Sequence, residues 1–151
     1  MDRRAFIGSL VLGTLAVPRL THAQPPRKVY RIGILTLYAT PDSAGPQPRE
    51  PAVNAFLRGL REIGYVYGEQ FVTEVRGAEG RPERYPALAA ELVGLQVDVI
   101  AAPGPALRAL KEATSTIPIV MGASNDPVGE GLVRSLARPG GNITGLSLQR
   151  A

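Results

Sequence analysis

The sequence predicts an α/β protein: a doubly wound, five-stranded parallel sheet with helices on both faces. Three observations carry this expectation. Short apolar runs alternate with stretches at helical spacing, in the order βαβαβαβαβ. A single helix separates each successive pair of strands, which calls for parallel pairing through right-handed crossovers. The runs Val29 to Leu37 and Val97 to Ala101 are largely apolar, as strands covered on both faces are.

Val29 to Leu37 is the first strand. Tyr38 to Glu50 is a loop by its breakers, with three prolines and a glycine. Helix one follows near Pro51 to Ile63, with Val53, Phe56, Leu57, Leu60 and Ile63 on one face and Gly64 as its stop. Phe71 to Val75 is the second strand. Helix two runs from Pro82 to Leu95, with Tyr85, Leu88, Ala89 and Leu92 inward. Val97 to Ala101 is the third strand, and "APGP" turns the chain into helix three, whose Pro105 sits where proline is tolerated. Leu107 and Leu110 face the core, and Arg108 stands four residues before Glu112, the spacing of a helix-surface ion pair.

Ile117 to Met121 is the fourth strand. Asp126 as N-cap and Pro127 at the first helical position then open a fourth helix, to Ala137, with Val128, Leu132, Val133 and Leu136 as its apolar positions. Pro139, Gly140 and Gly141 stop it, and Asn142 to Leu148 forms the fifth strand.

The first 23 residues read as a signal peptide. "MDRR" is a positive n-region, "AFIGSLVLGTLAV" an apolar h-region too short to span a bilayer comfortably, and "THA" a cleavage site after Ala23. Arg3-Arg4-Ala5-Phe6-Ile7 also fits a twin-arginine signal, so the Sec and Tat routes both stand. Residues 24–29 are a Pro-rich basic linker, and residues 30–151 form one domain.

Cleavage would leave 14 basic and 12 acidic side chains, so the charge balance describes no nucleic-acid-binding face. There is no cysteine, and His22, the one histidine, would leave with the leader. The mature chain would thus lack a thiol nucleophile, the usual zinc ligands and the usual general base. No G-x-G-x-x-G follows the first strand, and neither a Walker A motif nor a G-x-S-x-G elbow occurs. No cofactor or metal is expected. Asn142-Ile143-Thr144 matches a glycosylation sequon, read as coincidence at the start of a strand behind a bacterial-type leader.

In such sheets ligands bind beyond the carboxyl ends of the strands, near the point where strand order reverses. This geometry selects three loops before any residue is considered. The first holds hydroxyls and a carboxylate on Tyr38, Thr40, Asp42 and Ser43, of which Tyr38, Thr40 and Ser43 are the candidate contacts, although Pro-Asp-Ser is also ordinary turn chemistry. The second is the "APGP" turn with Gly104. The third offers Ser124, Asn125 and Asp126, where helix capping is the competing role for Asp126. Capping and ligand contact are compatible, because a helix N-terminus also presents free N–H groups.

Five segments then carry a specific likeness: "RIGIL", "AFLRGLREIGYVYGE", "AEGRPERYPALAAELVGLQVDVI", "ATSTIPIVMGASNDPVGEGLV" and "SLARPGGNITGLS". Together, over nearly all of Arg31 to Ser147, they resemble the substrate-binding proteins of ABC importers. More narrowly, they resemble the branch with a type I periplasmic-binding fold often associated with aromatic amino acid uptake. The resemblance implies a periplasmic, two-lobe receptor that closes on a small ligand and delivers it to a membrane permease. It implies that this chain holds the first lobe, with the second absent. Carried over by position, the implied contacts are Thr40, Ser43, Asn125 and Asp126, with Gly104 acting through its backbone. The loop from Tyr38 to Glu50 is longer and richer in proline than is usual in that family, and the "APGP" turn lacks the family's small hydroxyl residue. An exported α/β hydrolase and a ligand-sensing domain of the same fold are the alternatives.

Overall fold

The computed structural model describes residues 28–148. The leader, His22 and most of the linker lie outside the described residues.

Five strands form one parallel sheet: β1 (Tyr30–Thr36), β2 (Phe71–Gly77), β3 (Val99–Ala102), β4 (Ile119–Ser124) and β5 (Ile143–Ser147), in the spatial order β2-β1-β3-β4-β5. The chain moves from β1 outward to β2, then returns past β1 to β3. Strand order therefore reverses between β1 and β3, and the loops after these strands open on either side of that point. Ile32, Gly33, Ile34 and Leu35 of β1 are buried in succession, as the apolar run required.

Among the described residues three α-helices cover the sheet: α1 (Pro51–Glu62), α2 (Tyr85–Gly94) and α3 (Gly104–Ala113). A short 3-10 turn, Pro82–Arg84, precedes α2 where the sequence placed the start of the helix. On one face, α1 buries Val53 and Leu57 against Ile32, Ile34, Phe71 and Val75. On the other, Leu88, Leu92, Leu107 and Leu110 of α2 and α3 meet Leu35, Ile100, Ile119 and Ile143. Each large aliphatic side chain so buried contributes about 1.5–3 kcal/mol. On the α1 side, Val120 and Gly122 of β4 and Thr144 of β5 remain exposed. No described helix is long and apolar enough to cross a membrane.

Two expectations need correction. Ile63 does not join the buried face of α1. It is the C-cap residue and is 71% exposed, because the helical periodicity ends one residue earlier. The fourth helix, Pro127 to Ala137, does not form. The Asp126 carboxylate accepts from the Gly129 N–H at 2.8 Å, and the Glu130 N–H bonds the Asp126 carbonyl at 2.9 Å, so one turn begins as the sequence implied. It closes at once. Gly131 adopts φ +66°, its N–H bonds Val128 O, and the Leu132 N–H reaches back to Pro127 O. This is the paired bonding of a helix C-terminus with glycine in the left-handed position, placed after a single turn. Gly129 and Gly131 each cost a helix about 1 kcal/mol relative to alanine, which weakens the competing helical path. Of the four apolar positions, Leu132 and Val133 are buried, whereas Val128 and Leu136 are exposed.

Candidate functional site

The carboxyl ends of β3 and β4 and the start of α3 surround a cavity of about 460 Å³. Its walls are Pro103, Gly104, Pro105 and Arg108 on one side and Ala123, Ser124, Asn125, Glu130 and Leu132 on the other, with Leu148 beyond β5. The cavity stands at the sheet edge selected by the loop argument, one strand from the reversal.

Gly104 has a packing reason to be glycine. A Cβ there would sit 3.2 Å from the Ala123 carbonyl oxygen, so the start of α3 rests directly against the end of β4. No side chain caps α3, whose second residue, Pro105, has no N–H and whose Ala106 N–H is bonded to Pro103 O at 3.1 Å. Ser124 is 4% exposed, and its Oγ donates to Glu130 Oε2 at 3.3 Å. The Ser124 carbonyl accepts from the Leu148 N–H at 2.8 Å, which ties the end of β4 to the end of β5. Asn125 is exposed, and its side-chain amide has no hydrogen-bond partner in the described chain.

Three of the seven residues selected from sequence, Gly104, Ser124 and Asn125, line this cavity. Asp126 lies beside it, with one carboxylate oxygen engaged by Gly129 in the turn. The three residues of the first loop lie elsewhere. Ser43 is buried and occupied locally: its N–H donates to Thr40 O at 2.8 Å, and its Oγ accepts from the Thr40 N–H at 3.2 Å. Tyr38 is 72% exposed, and its ring approaches the Gly80 backbone next to β2. The loop is drawn toward β2 because Ala39 is buried across Gly77, where any Cβ would fall 1.4 Å from the Ala39 carbonyl oxygen.

Arg108, Glu130, Leu132 and Leu148 also line the cavity and were not selected from sequence. Arg108 at four residues from Glu112 reads as a surface ion pair. Among the described residues it forms no ion pair, and it faces the cavity instead. Glu130 reaches the cavity because the fourth helix is replaced by a tight turn. The Gly-Glu-Gly triplet was the available signal.

A charge pair also stands at the opposite, amino-terminal edge of the sheet. Lys28 pairs with Asp98, and the Arg31 N–H donates to Asp98 Oδ2 at 2.8 Å. The Lys28 ammonium, helped by that backbone N–H, holds the Asp98 carboxyl below its ordinary range. This pair fastens the start of β1 to the start of β3 and is remote from the cavity.

An open parallel α/β sheet with a polar cleft at its carboxyl edge belongs to the class of small-molecule-binding folds. The family of ABC transporter substrate binding proteins matches residues 47–151, more than half of the sequence, and the chain belongs to that family. A tyrosine-binding protein of Clostridioides difficile is 34% identical over 122 residues, covering 80% of this chain and 34% of the relative. A Streptococcus pneumonia ABC domain solved in complex with L-Trp is 30% identical, with a TM-score of 0.67, covering 80% of this chain and 39% of that one. A ligand-free, open substrate binding protein with adhesive properties from Clostridium difficile is 29% identical, with a TM-score of 0.68, covering 82% and 40%. The chain thus spans about a third of the length of the tyrosine-binding relative and about two fifths of these solved structures.

Proposed function

We propose that this chain supplies the first lobe of an extracytoplasmic receptor that captures an aromatic amino acid for an ABC importer. The observation that carries the reading is the cavity at the carboxyl ends of β3 and β4, lined by Gly104, Ser124 and Asn125. Asn125 matters most there, since its exposed amide offers both a donor and an acceptor to a ligand. Family membership supports the binding role, and the tyrosine and tryptophan named for two relatives support the ligand class.

In this reading residues 1–23 direct export to the periplasm, by Sec or Tat. A second lobe closes over the cleft to bury the ligand, and the closed form docks on a membrane permease. Closure is what makes such binding tight, since one lobe leaves half of the ligand in water. Tyr38, Thr40 and Ser43, outside this cavity, would serve only to shape the neighbouring loop, and Asp126 would act through the turn that positions Glu130. The test is calorimetric titration of the full-length protein with the twenty amino acids. Selective binding of tyrosine or tryptophan is expected, and binding of none of them would overturn the reading.

A further inference from the structure

We propose that Arg108 and Glu130 are the two ends of a zwitterion clamp, Arg108 taking the α-carboxylate of the ligand and Glu130 its α-ammonium group. This assignment rests on the amino acid reading above and gives the charged half of the ligand specific partners.

Both residues line the same cavity, from different elements. Arg108 comes from the second turn of α3, and Glu130 from the turn that replaces the fourth helix. Opposite charges that share a cleft ordinarily close on one another. Here they do not: among the described residues neither enters an ion pair, and the Arg108 guanidinium has no hydrogen-bond partner. The space of the cavity lies open to both.

Glu130 is held rather than loose. Its backbone N–H is bonded to Asp126 O, Gly131 in the left-handed conformation fixes the residue after it, and the buried Ser124 hydroxyl engages Oε2. Oε1 is left for a donor. Arg108 presents a planar fork of donors suited to a carboxylate. An α-amino acid carries its carboxylate and ammonium groups on one carbon, so a single ligand can satisfy both protein charges. A ligand with one charge leaves the other protein charge unmatched, and that difference is a source of selectivity. The apolar remainder of the ligand has Pro103, Leu132 and Leu148 to pack against.

The test pairs residue changes with ligand changes in the full-length protein. Calorimetry is run with L-tyrosine and L-tryptophan, with their decarboxylated amines and with their deaminated acids. Arg108→Ala is expected to weaken amino acid binding about 10–100-fold while leaving the amines within about twofold of wild type. Glu130→Gln is expected to weaken amino acid binding similarly while sparing the deaminated acids. Both residues are exposed, so thermal melts should match wild type. Equal losses for every ligand, or no loss, would overturn the clamp while leaving the amino acid reading intact. If wild type binds neither amino acid, that reading fails first and the clamp with it.

Discussion

Ser124 and Glu130 are joined at the wall of the cleft: the Ser124 hydroxyl, almost fully buried, donates to Glu130 Oε2 at 3.3 Å. A carboxylate at the end of a flexible side chain loses rotamer freedom when it binds a ligand, and a partner that restrains it beforehand reduces that loss. Ser124→Ala is therefore expected to weaken amino acid binding about 2–10-fold, the worth of one such hydrogen bond. Titration calorimetry checks it, and a thermal melt close to wild type would separate the effect from misfolding.

Gly131 discriminates between the turn and the expected helix by sign. In a helix, Gly131→Ala would stabilise by about 0.5–1 kcal/mol. At φ +66° the new Cβ meets the following carbonyl, and the change should destabilise by about 1–2 kcal/mol. Chemical denaturation of the variant reads the sign directly.

Asn142 sits in a glycosylation sequon, yet its side chain is committed inside the fold. Its Nδ2 donates to Thr114 O at 3.1 Å and to Ile117 O at 2.8 Å, pinning the start of β5 to the approach to β4. Asn142→Ala leaves two carbonyls without this donor and should cost about 1–3 kcal/mol, measured by equilibrium unfolding.

The Asp98 pair predicts the direction of a pH effect. Lys28 and the Arg31 N–H keep the folded carboxyl below its unfolded value. The unfolded chain thus takes up the proton first as pH falls. The contribution of this pair is fully present above the ordinary aspartate range and is lost as pH drops toward and through the folded value. Melting temperature followed from pH 7 downward should fall less steeply below about pH 4 in Asp98→Asn than in wild type.

The strands and the first three helices were legible because each has one dominant cause. β1 is largely apolar, with Ile32 to Leu35 buried in succession, since both of its faces are covered there, and α1 has a narrow apolar stripe because only one face is. The fourth helix misled because its signals are real but local. Asp126-Pro127 does open a turn, and Pro139 to Gly141 do follow it, but the two interior glycines permit an early stop that periodicity does not register. In the cleft, Gly104, Ser124 and Asn125 were readable from topology, since strand ends in such sheets point to one edge. The first loop was not, because its destination depends on Gly77 admitting Ala39, a contact between segments far apart in sequence. Arg108 was hidden by a plausible neighbour, Glu112, with which it forms no pair in the fold.

The proposed role of the cleft at the ends of β3 and β4 is to bind an amino acid. Calorimetric titration of L-tyrosine and L-tryptophan into the full-length protein and its Asn125→Ala variant tests it most directly. Saturable binding to the wild type is expected, weakened about tenfold or more in the variant, as removal of one directly bonded polar partner does. Binding of neither amino acid to the wild type, or unchanged affinity in the variant, would contradict it.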